Sequence, residues 1–128
     1  MPDRAMLDTD VVIDYLRRQP DAVRFVKGLA DRPFISVVTV GELYAGVRDG
    51  RERSELEIVV GGFRVIRVTR EIAVQAGLHR RAYGKSHNVQ LADALIAACS
   101  QSAQARLYTL NTKHFPMLAN VTVPYTKA

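Results

Sequence analysis

Tryptophan is missing from this chain and cysteine occurs once, at Cys99. No intramolecular disulfide can therefore staple the fold, and the thiol content suits a reducing compartment. Five tyrosines without tryptophan form no stacking array of the kind an RNP-type RNA-binding sheet uses. Apolar runs fall far short of the ~20 residues that a membrane-spanning helix requires. The opening MPDRAMLDTD has no apolar stretch before a small-residue cleavage site, so no secretory signal and a cytoplasmic location are expected. Internal repeats, linkers and biased tracts are also lacking. Acid is scarce in the second half: from Ala73 onward six basic residues face one acid, Asp93.

What is present describes an ordinary globular domain. The 128 residues, 48% hydrophobic and 24% charged, suit one domain spanning 1–128. A domain of this size buries about two-thirds of its unfolded surface and needs no metal to hold a core. Net charge is +5, and 14 of the 18 bases are arginine, the side chain best shaped for forked pairing with phosphate. The same bias is also ordinary solubility chemistry.

Short apolar runs alternate with amphipathic stretches, as in βα units. Strands are expected at 4–7, within PFISVV, at 63–68, 106–110 and 121–123. Helices are expected after Asp10, from Pro20, from Thr39 to about Arg48, over 50–62, after Thr69, and across LADALIAACSQSA. Five strands with interposed helices predict an α/β fold, a mostly parallel sheet covered on both faces. Ligands of such sheets gather outside the carboxyl ends of the strands, where Asp8 falls.

Familiar motifs fail one by one. Gly84-Lys85-Ser86 resembles the end of a P-loop, but the first glycine would be position 79, a histidine. His79, His87 and His114 have no zinc spacing, reading as one helix-face and two loop residues. No G-x-S-x-G elbow exists, and Cys99 reads as core.

The acids are more telling. Asp93 sits in the most apolar helix, where aspartate is a poor helix former; near a helix start it would also offset the macrodipole. Thr39-Val40-Gly41-Glu42 matches a capping box, which alone accounts for Glu42, although that first turn also faces the crevice. Asp10 reads as the N-cap of the first helix and Asp14 as solvated, whereas Asp8 at the strand end has no such structural duty. Asp8, Glu42 and Asp93 are thus expected to meet closely enough to share an ion. Converging carboxylates either gain protons or gather a cation. Without a Cys/His set that cation is hard, Mg²⁺ or Mn²⁺. A carboxylate-held dication beside an arginine-rich surface suits phosphoester hydrolysis on nucleic acid.

Four blocks in register, MLDTDVVIDYL, SVVTVGELYAGV, LADALIAA and LYTLNTKHF, resemble the PIN domain, and more narrowly the VapC toxins of VapBC toxin–antitoxin systems. The resemblance spans nearly the whole chain. It implies a three-layer α/β/α domain with a five-stranded parallel sheet and a Mg²⁺- or Mn²⁺-dependent endoribonuclease leaving 3′-hydroxyl and 5′-phosphate ends. By position, Asp8, Glu42 and Asp93 match the metal-binding catalytic acids, and Thr9, Ser36 and Thr39 match polar residues around the site. Asn111 stands where many relatives carry a fourth acid; an amide adds no charge, which leaves a second metal in question. A VapB-type antitoxin burying a hydrophobic segment near the site and a homodimer are further implications.

Two other readings stay open. A PIN-like module whose site has decayed would bind RNA or a partner without cutting. Asp8-Thr9-Asp10-Val11-Val12 also fits the D-x-D motif of haloacid-dehalogenase phosphatases, although their late acidic pair is missing after Asp93.

Overall fold

The computed structural model describes residues 4–127; the first three residues and Ala128 of the expected domain lie outside it. The backbone runs β1 (Arg4–Leu7), α1 (Thr9–Leu16), α2 (Pro20–Lys27), β2 (Phe34–Ser36), α3 (Val37–Gly46), α4 (Arg51–Gly61), β3 (Arg64–Ile66), α5 (Arg70–Tyr83), α6 (Leu91–Ala103) and β4 (Ala105–Tyr108). A single 3-10 turn follows at Thr112–His114. All strand pairs are parallel, in the order β3-β2-β1-β4. Each crossover carries two helices, as parallel pairing demands.

Alternation along β1 sorts the core. Met6 and Leu7 are both fully buried but point to opposite faces. Met6 joins Leu107, Ile72, Ala76, Ile96, Cys99 and Phe115 beneath α5 and α6. Leu7 joins Val11, Val12, Ile35, Leu43, Leu56 and Phe63 beneath α1–α4. The α/β/α layering read from the sequence is therefore present, and among the described residues no helix is long and apolar enough to cross a membrane.

The fifth strand is not. Thr122 makes one isolated parallel bridge with Tyr108, its amide donating to Leu107 and its carbonyl accepting from Thr109, both at 3.0 Å. The next donor in such a ladder would be residue 124, which is Pro124 and has no N–H. The sheet therefore has four strands among the described residues. β3 is likewise shorter than the expected 63–68.

Helix caps bring three further corrections. α3 begins at Val37, with Ser36 as its N-cap accepting from Val38 N at 3.0 Å, so Thr39 and Glu42 form no capping box. Asp8 rather than Asp10 caps α1, accepting from Thr9 N at 2.8 Å. Asp14 is buried instead of solvated, taking bonds from the Tyr125 hydroxyl at 2.8 Å and from Lys127 Nζ. Burial and that carboxylate push the Tyr125 hydroxyl pKa upward. Expectations at Pro20, the first residue of α2, and at Thr69, which caps α5 by accepting from Ile72 N at 3.2 Å, agree with the structure. Replacing Ser36 by alanine should lower stability by about 1 kcal/mol, the usual worth of such a cap; chemical denaturation would show it as a lower midpoint at constant slope.

Candidate active site at the carboxyl edge of the sheet

Strand order locates the crevice. The chain builds outward from β1 to β2 to β3, then returns to the far side of β1 as β4. The order reverses between β1 and β4, and open parallel sheets bind ligands at such a switch point. Asp8 leaves the end of β1 and Thr109 the end of β4, directly beside it, with Asp8 N donating to Tyr108 O at 2.9 Å.

Thr109 is fully buried and its hydroxyl has a single proton. Asp8 Oδ2 lies 2.7 Å from Thr109 Oγ1 and Asp10 Oδ2 lies 3.3 Å away, so the shorter bond goes to Asp8. Asp10 Oδ2 also accepts from Leu110 N at 3.0 Å, while its Oδ1 is buried without a partner among the described residues. Asp10 thus clamps the start of α1 to the segment after β4, an arrangement that does not leave it free as the acid–base of a D-x-D phosphatase.

Burial, then the Asp10 charge, and then Asp93 raise the Asp8 pKa to about 7, against the lowering effect of the Thr109 and Thr9 hydrogen bonds. Burial also raises Asp10. Asp93 lies close enough to Asp8 to act on it electrostatically. It is the third residue of α6, and its Oδ2 accepts from Gln90 N at 3.2 Å, half of a reciprocal cap. The helix-start reading of Asp93 is therefore present in the structure, and the cap fixes a carboxylate that acts electrostatically on Asp8.

Glu42 enters by another route. Thr9 Oγ1 donates to Glu42 Oε1 at 2.7 Å, which leaves Thr39 Oγ1, 2.9 Å away, to donate to Thr9. Because the N-cap of α3 is Ser36, three residues before Thr39, Glu42 is one turn in and exposed, and its side chain serves no cap. Ser36 is buried, capping α3 and lying 3.4 Å from Cys99 Sγ. Asn111 N donates to Thr109 Oγ1 at 3.0 Å, and its amide nitrogen lies 3.3 Å from His114 Nδ1. His114 Nδ1 in turn stands 3.7 Å from Asp93 Oδ2.

Asp8 thus stands at the strand ends within electrostatic range of Asp93, and Thr9 links it to Glu42. Among the described residues no three His, Cys, Asp or Glu side chains form a ready metal-holding group. The donor set nevertheless fits a hard dication in kind and charge. It is all oxygen, it includes a carboxyl whose ionisation is opposed by burial and neighbouring acids, and a buried carboxylate oxygen beside it has no donor.

Thr109, Asp10 and His114 were not picked out as site residues by the sequence. The signal for Thr109 was its place at the end of the strand paired with β1; for His114, its spacing after Asn111.

A groove of mixed character, with charged side chains along an apolar floor, opens between α1, α3 and α4. Its volume is about 760 Å³, and Ile13, Leu16, Leu43 and Leu56 line it together with Glu42 and Arg17. A second hollow of about 650 Å³ shares Leu16 and Glu55 with it and carries Tyr15, Val23 and Ile58 along α2 and α4.

Comparison with known proteins agrees with this fold. The PIN domain family profile matches residues 5–120. Ribonuclease VapC10 of Mycobacterium tuberculosis is 40% identical over 123 residues, covering 94% of this chain and 92% of its own length. Ribonuclease VapC19 of the same species is 34% identical over 124 residues, with 94% and 98% covered. A toxin–antitoxin complex from Klebsiella pneumoniae contains a chain similar in structure, with a TM-score of 0.82, 26% identity, and coverage of 94% here and 98% there.

Proposed function

The chain belongs to the PIN domain family, and from that premise we propose that it is a Mg²⁺- or Mn²⁺-dependent endoribonuclease, the toxin of a VapBC-type toxin–antitoxin pair. The observation that carries this reading is the place of Asp8 at the β1/β4 switch point, where burial, Asp10 and Asp93 oppose its ionisation, with Glu42 linked to it through Thr9. Asp8 and Asp93 would hold the ion, with Glu42 joining directly or through a water. A bound dication would supply water activation and neutralise charge on the phosphoryl oxygens.

The chain's own groups prepare for that chemistry. Thr109 fixes the rotamer of Asp8, the Gln90 amide fixes Asp93, and the Thr39–Thr9 relay aims Glu42. Asn111 adds a hydrogen-bonding amide without charge. Arginines across the surface supply the electrostatic attraction for an RNA strand. The groove between α1, α3 and α4 suits a VapB-type antitoxin segment, its apolar side chains against Ile13, Leu16, Leu43 and Leu56 and a basic one toward Glu42, which also lines it. A homodimer and a cytoplasmic setting complete the reading.

Incubating the purified chain with synthetic RNA in EDTA, Mg²⁺ or Mn²⁺ tests it. Cleavage is expected only with metal, leaving 5′-phosphate ends. Asp93→Asn is expected to abolish cleavage while keeping the fold, since the asparagine oxygen still accepts from Gln90 N. Metal-dependent cleavage retained in that variant would refute the assignment. RNA binding without cleavage by the wild-type chain would instead establish the non-catalytic module.

A further inference from the structure

The last turn of α5 and the loop that joins it to α6 have no part in the reading above, yet together they form one firmly built loop region. Between Glu71 and Asp93 the chain carries no acid, while Arg80, Arg81 and Lys85 are all exposed. The Arg80 guanidinium folds over Gly84, filling the space a Cβ would need, and Gly84 N donates to Arg80 O at 2.8 Å. His87 is exposed, and its ring meets that of Tyr83 edge-on, centroids 5.6 Å apart at 81°. Its amide donates to Tyr83 O at 3.0 Å, and Ser86 Oγ lies 2.8 Å from His87 Nδ1. Asn88 turns the chain at φ 52°, and its side-chain oxygen accepts from Gln90 Nε2 at 3.1 Å. Two residues beyond Asn88, the Gln90 amide is bonded to the carboxylate of Asp93. A cationic, ring-bearing loop thus ends on one of the site's acids.

We propose that this loop is the rim that receives a single-stranded RNA, with Arg80 and Lys85 on its phosphates and the His87 ring, propped by Tyr83, stacked on an unpaired base. The proposal rests on the ribonuclease reading and narrows its substrate. An exposed ring stacks only on a base whose faces are free, so the preferred target is a strand or loop rather than a duplex. Phosphate contacts give affinity without sequence, while the ring contact senses the presence of a base.

Binding to a fluorescent RNA strand of about 12 nucleotides, and to an abasic strand of equal length, tests this by anisotropy in EDTA, where turnover does not intervene. His87→Ala should weaken binding of the base-bearing strand about tenfold and leave the abasic strand unaffected. His87→Phe should restore the loss. Lys85→Ala should weaken both strands and make the salt dependence shallower by about 0.7 in log–log slope. Arg53→Ala, which removes an equal charge on α4, should bind both strands as the wild type does. Equal binding of the base-bearing strand by wild type and His87→Ala overturns the proposal, as does an equal loss on both strands. A loss in Arg53→Ala matching that in Lys85→Ala also overturns it, because diffuse charge would then explain the effect. If the wild type cuts RNA while the loop variants bind unchanged, only the rim fails. If the wild type neither binds nor cuts RNA, the nuclease reading falls with it.

Discussion

Asp8→Asn should silence RNA cleavage and, in the metal-free protein above pH 7, raise the melting temperature. The loss follows from removing a proposed ligand, worth several kcal/mol of transition-state stabilisation, or about a thousandfold in rate. The gain follows from the raised pKa. Asp8 shifts from 3.8 to about 7 in the folded chain, so the native state binds its proton more tightly than the unfolded state does. Below pH 4 the carboxyl is protonated in both states and its contribution is fully present. As pH rises from about 4 through 7, the folded chain must ionise a buried group beside Asp10 and Asp93, and that stability is lost. The loss levels off above pH 7 at about 2–4 kcal/mol, roughly 10 °C in a domain of this size. Asparagine keeps the oxygen that caps α1 but carries no charge. The variant should therefore outlast the wild type at pH 8 in EDTA and match it near pH 4. Mg²⁺ or Mn²⁺ should close the gap at pH 8 by stabilising the wild type alone. A variant melting below the wild type at both pH values would show that Asp8 serves folding rather than an ion.

The second large effect is expected at Thr109. Valine has nearly the same shape but no hydroxyl, so Thr109→Val deletes the donor to Asp8 at 2.7 Å, whose oxygen also lies 3.3 Å from Asp10 Oδ2. It also leaves Asn111 N without its acceptor. Losing a buried donor to ionised groups costs about 2–4 kcal/mol. The deficit should be larger at pH 8 than at pH 5, because Asp8, its pKa raised to about 7, needs the donor most when charged. Urea unfolding at the two pH values reads it directly. Cleavage should fall as well, about 10–100-fold, since Asp8 would no longer be held in one rotamer. Thr109→Ser should recover most of both losses. Failure of serine to rescue would mean that the methyl packing, not the hydroxyl, matters there.

Much of the architecture was legible because it is periodic. The alternation of Met6 and Leu7, the apolar face of α5 and the continuous apolarity of α6 each specify a layer without help from distant residues. Caps were legible only where one candidate stood alone. Thr69 did, whereas the caps read at Asp10 and Thr39 belong in the structure to Asp8 and Ser36, short polar residues a little upstream. Val37 and Val38 read as strand by propensity, but Ser36 supplies the first acceptor for the helix amides and Val38 packs on the core. Pro124 was visible, but its effect depended on which carbonyl it would have had to face.

The sequence by itself settled the α/β layering and the family, and it singled out the acids at positions 8, 42 and 93, because residue order, spacing and hydrophobic period are local properties of the chain. Only the tertiary structure decided how those acids are held. The return of β4 beside β1 sets Thr109 against Asp8 across 101 positions, and the packing of α3 beside α1 ties Glu42 to Thr9 across 33. Such bonds depend on which strand lies next to which, and sheet order is fixed by burying both faces at once rather than by any one segment's pattern.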